Sequence, residues 1–441
     1  MDARPTRRQM TLVAFLQAQN CSNYPASWRH RGTTQDFLTA EYYQRIARTL
    51  EAGKFHMAFF DDRLAMPDRY GSDHAHTVEY GIRATKMDPL IVLMTMAAVT
   101  TRLGLASTCS TTYFEPFDVA RRFATLDLMT DGRAAWNVVT SLNHNQAANY
   151  GEEFLPVDER YDRAHEFIEV CRKLWDSWEP DAVVMDREAG IFADPAKVHR
   201  IEHVGRFFKS RGPLNVVRTP QRGPAIVQAG TSAKGRTFAA RYADAIFAIQ
   251  PNIAGAKAYY EDIKRGTVGE GRQPEACKIL FGIQPILGRT AEEAREKQEL
   301  HNSLVPLEGG LAILSGHLDF DLSKLSLDEL MAHRTEPQLQ RMQTRYRTLT
   351  GELLTLREVA QRHGQSVGLL QVVGTPTQVA DQMEDYFERV GGDGFMLSPI
   401  YNPGAIEEFV DLVVPELQRR GRFRRDYTGT TQRDHLMQED P

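Results

Sequence analysis

The sequence predicts an α/β fold, a (β/α)8 TIM barrel with insertions. Three observations point there. Eight short apolar runs recur along the 441 residues. Most are near-continuous rather than alternating, the pattern of parallel strands covered on both faces. Helical periodicity lies between most of them. A doubly wound open sheet shares this alternation, but the G-x-G-x-x-G turn expected after its first strand is missing.

The first run, 10–16, follows Arg4, Arg7 and Arg8, as in a signal peptide. Its seven residues are at the short limit of such a segment, and Gln17-Ala18-Gln19 is a poor cleavage site, so a first strand is expected. A helix over 41–52 carries Tyr42, Ile46 and Leu50 on one face and stops near Gly53. Strand 57–62 comes next, then an apolar helix over 89–103 and strand 104–110. Helix 116–130 opens on Pro116, which suits a first turn. Strand 134–141, helix 158–178, strand 225–230 and helix 232–242 follow. Strand 245–249, helix 253–265, strand 279–287, helix 290–304, strand 394–400 and helix 405–420 complete the alternation. Two stretches exceed simple connections. The first, about 180–223, has Asp-Pro and Gly-Pro breaks and a weak hairpin pattern. The second, about 305–374, holds helical patterns around 328–350 and 356–363, and is read as lying after the seventh helix. Loops of this length are commonly lids, and at least one is expected to cover the site. The charged tail, about 421–441, reads as a solvated tail or as an arm packed on a neighbouring subunit. Residues 1–441 together read as a single barrel domain.

Composition removes several function classes. Charged residues are 25% of the chain, which excludes wholesale disorder. The 53 basic and 58 acidic residues give a net charge of −5, so no basic field invites nucleic acid. No apolar run approaches the ~20 residues that a membrane helix needs. The cysteines, at 21, 109, 171 and 277, have neither zinc nor C-x-x-C spacing. Reduced thiols in a cytoplasmic protein are the simplest reading.

Barrel active sites sit at the carboxyl ends of the strands. Here those ends are Asp61 and Asp62, Thr108 to Tyr113, Asn137 to Ser141, and Gln228 to Ser232. Hydroxyls and amides in this density suit a polar, uncharged heterocycle, and no set of carboxylates or imidazoles converges to hold a metal. His74-Ala75-His76 lacks further ligands. Gly230 permits close approach of a ligand, and Ser232 opens a helix, so this turn reads either as a phosphate site or as a plain helix cap. Asp61 and Asp62 read as a general-base pair or as strand-end caps. His144 and His317 are candidate loop acids or bases, His317 standing in the second long stretch. Phe59, Phe60, Phe247 and Trp136 are expected to wall the site. No G-x-S-x-G elbow supports a serine hydrolase. No arginine cluster can be placed at the mouth, which favours a neutral, partly aromatic or sulfur-containing substrate.

Several longer segments carry a family resemblance. They are Trp28-Arg29-His30, Glu51 to Phe55, Arg121 to Asp127, Gly132 to Ser141, Glu159 to Asp162, Phe192 to His199, Gln228 to Gly230 and Asp393 to Phe395. From about Arg8 to His435 the chain resembles the bacterial-luciferase-like flavin monooxygenases. The likeness is to the group that includes nitrilotriacetate monooxygenase, pristinamycin synthase, dibenzothiophene-sulfone monooxygenase and long-chain alkane monooxygenase. The resemblance implies a barrel that uses reduced FMN and O2 and oxygenates a small organic substrate by way of a flavin hydroperoxide. It implies FMNH2 supplied by diffusion from a separate NAD(P)H:flavin reductase, and a homodimer or homotetramer. It places flavin contacts at Asp62, Thr108, Tyr161 and Ser232, and the strand ends add Asn137, Ser141 and Gly230. His317 matches a histidine of the sulfone enzyme but not of the alkane enzyme. Two departures stand out. Val157 occupies a position that is often histidine in the family, and residues 20–27 lack the histidines that face substrate in several relatives. The alternatives are a non-catalytic flavin- or small-molecule-binding barrel, and a flavin-independent barrel hydrolase or lyase.

Overall fold

The computed structural model describes residues 8–19, 23–230, 232–250 and 252–437. Arg4, Arg7, Asn20, Cys21, Ser22 and Thr231 lie outside the described residues. Eight parallel strands form a closed ring: β1 (Thr11–Leu16), β2 (Met57–Phe60), β3 (Gly104–Ser110), β4 (Ala134–Val139), β5 (Ala225–Gln228), β6 (Ala245–Ala248), β7 (Lys278–Leu287) and β8 (Gly394–Leu397). Val13 stands beside Met57, Ala245 beside Lys278, and Thr11 beside Gly394, which closes the barrel. Each of these strands lies within a run anticipated from the sequence or overlaps it.

Strand alternation decides which side chains fill the barrel. Val13, Met57, Phe59, Ala106, Ala135, Ala225, Val227, Ala245, Phe247, Leu280 and Met396 pack together inside it. Their neighbours Leu12, Ala14, Ala58, Phe60 and Leu105 turn outward against the helices. The expected wall is therefore half right. Phe60 points to the helix layer, 6.0 Å from the Tyr43 ring. Trp136 also points outward, packs on Phe123 and Phe167, and donates through Nε1 to the Cys109 carbonyl. One residue of register moves a side chain to the opposite face.

The helix layer includes α1 (Ala40–Ala52), α2 (Pro89–Ala97), α3 (Pro116–Met129), α4 (Val157–Trp175), α5 (Ala233–Tyr242) and α6 (Ile253–Gly269). After β7 the chain makes α7 (Ala291–Ser303), α8 (Leu307–Leu318), α9 (Pro337–Thr350) and α10 (Leu356–Ser366), then a strand, Leu370–Gly374, which pairs with the outer half of β7. Helix α11 (Pro376–Val390) follows, packing beside α6, and α12 (Gly404–Leu412) comes after β8. The helix that links β7 to β8 in the barrel layer is thus α11, not 290–304. The second long stretch is consequently a βα connection, on the carboxyl side of the barrel.

The first long stretch connects α4 to β5, an αβ position at the opposite end. Its hairpin pattern is realised as Val183–Asp186 against Ile191–Ala193. Glu166 of α4 accepts from the Phe207 and Phe208 amides and ties the stretch to the helix layer. The described part of the tail, to residue 437, packs back on the barrel. Arg424 donates to the Lys54 and Phe55 carbonyls, and Leu436 enters the apolar barrel interior of its own chain. No helix among the described residues is long and apolar enough to cross a membrane.

Candidate active site

A cavity of about 520 Å³ opens at the carboxyl end of the barrel. Its floor is aromatic: the Phe59 ring lies 4.4 Å from Phe247 and 5.3 Å from Phe15. Such a floor excludes water and suits a flat ring. One wall is polar. Thr108, Ser110, Asn137 and Ser141 all line it. Asn137 Nδ2 donates to Thr108 Oγ1 at 2.8 Å, and the Thr108 hydroxyl donates to the Phe60 carbonyl at 2.8 Å. This leaves Asn137 Oδ1 buried without a hydrogen-bond donor among the described residues. A buried acceptor without a partner is costly and marks a place for a ligand's N–H. Ser141 has φ +53°, a left-handed conformation unusual for serine. It is held there by its Oγ contact with Ser110 at 2.9 Å and by Arg160, which donates to its carbonyl.

Tyr161, Gly230 and Ser232 gather next to Ala229, which lines the cavity. Ser232 caps α5 by accepting from the Gly235 amide at 3.1 Å, and its hydroxyl finds no acceptor among the described residues. A Cβ placed on Gly235 would stand 2.6 Å from Tyr161 Oη and 3.1 Å from both Gly230 Cα and Ser232 Oγ. The two glycines keep this cradle open to a ligand's approach. Val157 is the first residue of α4 and is 47% exposed.

Asp61 and Asp62 both face the cavity but are not equivalent. Asp61 accepts from Lys86, and this ammonium holds it ionised. Asp62 accepts from the Arg63 amide at 2.8 Å. Burial pushes its carboxyl up to about 7, opposed by Lys86 and aided by Asp61.

The lid supplies the opposite wall through Gly316 and His317 of α8, Met342 and Arg345 of α9, His363 of α10, and Val367. The stretch 180–223 contributes nothing to this lining. His317 is bonded through both ring nitrogens. Arg83 lies 3.1 Å from its Nε2 and His363 Nε2 lies 2.7 Å from its Nδ1; His363 Nδ1 is 2.9 Å from Tyr346 Oη. A guanidinium only donates, so His317 Nε2 accepts. His317 Nδ1–H then donates to His363, and His363 Nδ1–H donates to Tyr346. Burial, with the nearby guanidiniums, holds His317 far below the usual imidazole range and His363 at about 3, so both rings are neutral. In this arrangement His317 braces Arg83 and presents no free N–H to the cavity. His144 does not reach the cavity lining. It pairs with Asp319 and its side chain is 56% exposed.

Arg63, Arg83 and Arg345 were not anticipated here, yet all three line the cavity. They come from the segment after β2, from the approach to α2, and from the lid. Nothing in local sequence spacing brings them together. No group of three or more histidine, cysteine or acidic side chains among the described residues is placed to hold a metal.

Comparison with known proteins agrees with this architecture. Residues 21–394 match the family model described as luciferase-like monooxygenase. The chain is 46% identical to dibenzothiophene-sulfone monooxygenase of Rhodococcus erythropolis, over 98% of this chain and 97% of that protein. It is 40% identical to nitrilotriacetate monooxygenase component A of Aminobacter aminovorans, over 97% and 96%. A crystal structure of riboflavin lyase with modified FMN and riboflavin superposes with a TM-score of 0.89 at 33% identity, covering 98% of this chain and 96% of the other. The closed parallel barrel, its cavity at the carboxyl end and the end-to-end identity make the chain a member of the luciferase-like monooxygenase family, and so an oxidoreductase.

Proposed function

We propose that the chain is the oxygenase component of a two-component monooxygenase that uses FMNH2 and O2 on a small organic substrate. The observation that carries the reading is the unpartnered Asn137 Oδ1 beside Thr108, set over an aromatic floor and next to the open Gly230–Ser232–Gly235 cradle. An isoalloxazine ring needs such an acceptor and such a floor, and its phosphate tail suits the start of α5. Asp62, Thr108, Asn137 and Ser141 would hold the ring end, and Tyr161, Gly230 and Ser232 the phosphate end. Bound reduced FMN supplies the electrons that activate O2. The protein orients substrate, and its lid and phenylalanines keep water out. His317 then serves the site by holding Arg83 in place.

Supply by a separate NAD(P)H:flavin reductase is supported by the relative named as a component A and by the absence of a dinucleotide fingerprint after β1. Buried, free Cys109, Cys171 and Cys277 suit the reducing cytoplasm. The described stretches act as one barrel unit with an outer excursion and a lid. A homodimer or homotetramer is supported by the exposed apolar hairpin side chains Val184, Met185, Ile191 and Phe192, and sedimentation velocity reads it directly. The central test is oxygen uptake. Photoreduced FMN mixed with the pure chain in air should bind more tightly than oxidised FMN, and NADH with FMN alone should not be consumed. Steady NADH oxidation by the pure chain would overturn the two-component reading. Equal, negligible affinity for both flavin states would overturn the flavin reading.

A further inference from the structure

Three guanidiniums face one cavity, and no carboxylate is bonded to any of them among the described residues. Arg83 is 7% exposed and has φ +55°, a conformation that costs energy for any side chain but glycine. Asn23 Oδ1 and His317 Nε2 hold two of its nitrogens, and its Nε is buried without a partner. Arg345 donates to the Gly368 carbonyl at 3.3 Å and leaves its Nε unpartnered as well. The Arg63 side chain makes no hydrogen bond or ion pair among the described residues. Burial and the nearby Arg83 charge pull its guanidinium down to about 9. The nearest acids offset only part of this charge. Asp61 favours the charged forms of Arg63 and Arg83 but is bonded to Lys86, a fourth cation, and burial pushes Asp62 toward its neutral form. Cations that outnumber the nearby acids in a partly buried cavity favour a ligand that brings negative charge.

We infer, resting on the monooxygenase reading, that the substrate carries an oxyanion of the carboxylate or sulfonate type, gripped by Arg63 and Arg83 beneath the lid with Arg345 beside them. This departs from the neutral substrate expected from the sequence. The arginines belong to the lid side of the cavity, through the bonds of Arg83 to His317 and of Arg345 to Gly368. The flavin phosphate has its own cradle at Ser232. Guanidinium forks match the two oxygens of such a group, which fixes how the substrate enters and which end faces the flavin.

The test uses the whole chain and two probes of equal shape, benzoate and its neutral isostere benzamide, with binding read by calorimetry. Benzoate should bind about tenfold or more tightly than benzamide. Arg63→Ala should abolish that preference and Arg63→Lys should restore part of it. The Arg63 side chain makes no hydrogen bond or ion pair among the described residues, so its variants should fold even where Arg83→Ala does not. The ratio of FMN to riboflavin affinity should be the same in wild type and Arg63→Ala. A fall in that ratio would assign the arginines to the flavin phosphate and overturn the inference. So would equal binding of benzoate and benzamide, or benzoate affinity unmoved by Arg63→Ala. The anion preference is measured without flavin, so it stands or falls separately from oxygen uptake.

Discussion

Asp62 is the ionisable group whose charge the cavity leaves most finely balanced. Its carboxyl is raised to about 7 because burial removes water that Lys86 only partly replaces. In the folded state the group therefore holds its proton more tightly than in the unfolded chain. Its favourable contribution is full below the ordinary carboxylate range and is lost as pH rises through about 7. Asp62→Asn removes this dependence. We expect the variant to be more stable than wild type at pH 8, by about 1–3 kcal/mol, with the gap closing toward pH 4. Urea unfolding at both pH values checks this, and parallel pH profiles for the two proteins would show that ionisation of Asp62 carries no strain. Not every residue of this site could be read from sequence. Asp62, Thr108, Asn137 and Ser141 could, because strand ends identify barrel-mouth positions. Arg63, Arg83 and Arg345 could not, because the closed barrel and the lid alone bring them together. Many of the residues that carry the family likeness serve the scaffold instead. Arg133 donates to the Thr130, Thr100 and Leu103 carbonyls, and Asp127 accepts from Gln221 and from the Ala134 amide.

Among the elements, the eight barrel strands were legible because burial on both faces makes them continuously apolar. Helix α11 was not recognised, although its signals are present. Thr375 and Gln378 form a capping box, and Val379, Met383, Tyr386, Phe387 and Val390 make one buried stripe. Without it, 290–304 takes the place of the seventh barrel helix and the lid falls at the wrong end of that helix. The strand Leu370–Gly374 is harder to see, since it is short, half exposed and paired only with the upper part of β7. Within the lid, α8 and α10 approach closely because glycines face each other. A Cβ on Gly310 would stand 2.3 Å from the Ala360 carbonyl oxygen, and one on Gly364 would stand 3.1 Å from Gly310 Cα. Backbone cannot move aside as a flexible side chain can. Gly310→Ala should therefore separate the two helices, cost about 1–3 kcal/mol, and loosen the His317–His363 contact that orients Arg83. Limited proteolysis should cut the variant within 305–374 while the far-ultraviolet circular dichroism of the barrel stays near wild type. A variant as resistant as wild type would mean that the helices tolerate the extra methyl.

At the scale of the whole molecule the two ends of the barrel have separate tasks. The carboxyl end holds the cavity and its lid. The amino end is closed by the tail, whose charge suggests solvation although Arg422 pairs with Glu384 and Glu388 and Arg424 and Arg433 bond to backbone carbonyls. Arg424 and the Tyr427 hydroxyl both donate to the Phe55 carbonyl, and Arg433 donates to the Pro224 carbonyl at 2.7 Å. Gln432 is fully buried against Gly104, where a Cβ would stand 1.6 Å from Gln432 Oε1. Leu436 sits inside the barrel, 1% exposed. Ending the chain at Arg425 would remove the Leu436 burial, worth about 1.5–3 kcal/mol, and several charged hydrogen bonds of about 1.5–3 kcal/mol each before solvation offsets. We expect the shortened chain to lose about 3–6 kcal/mol of stability. Its affinity for FMN below the new melting temperature should stay within about twofold of wild type, because no described tail residue lines the cavity. The loss should not depend on protein concentration. An arm that held a neighbouring subunit would behave oppositely, its removal weakening assembly in proportion to dilution, and that result would return the tail to the subunit interface.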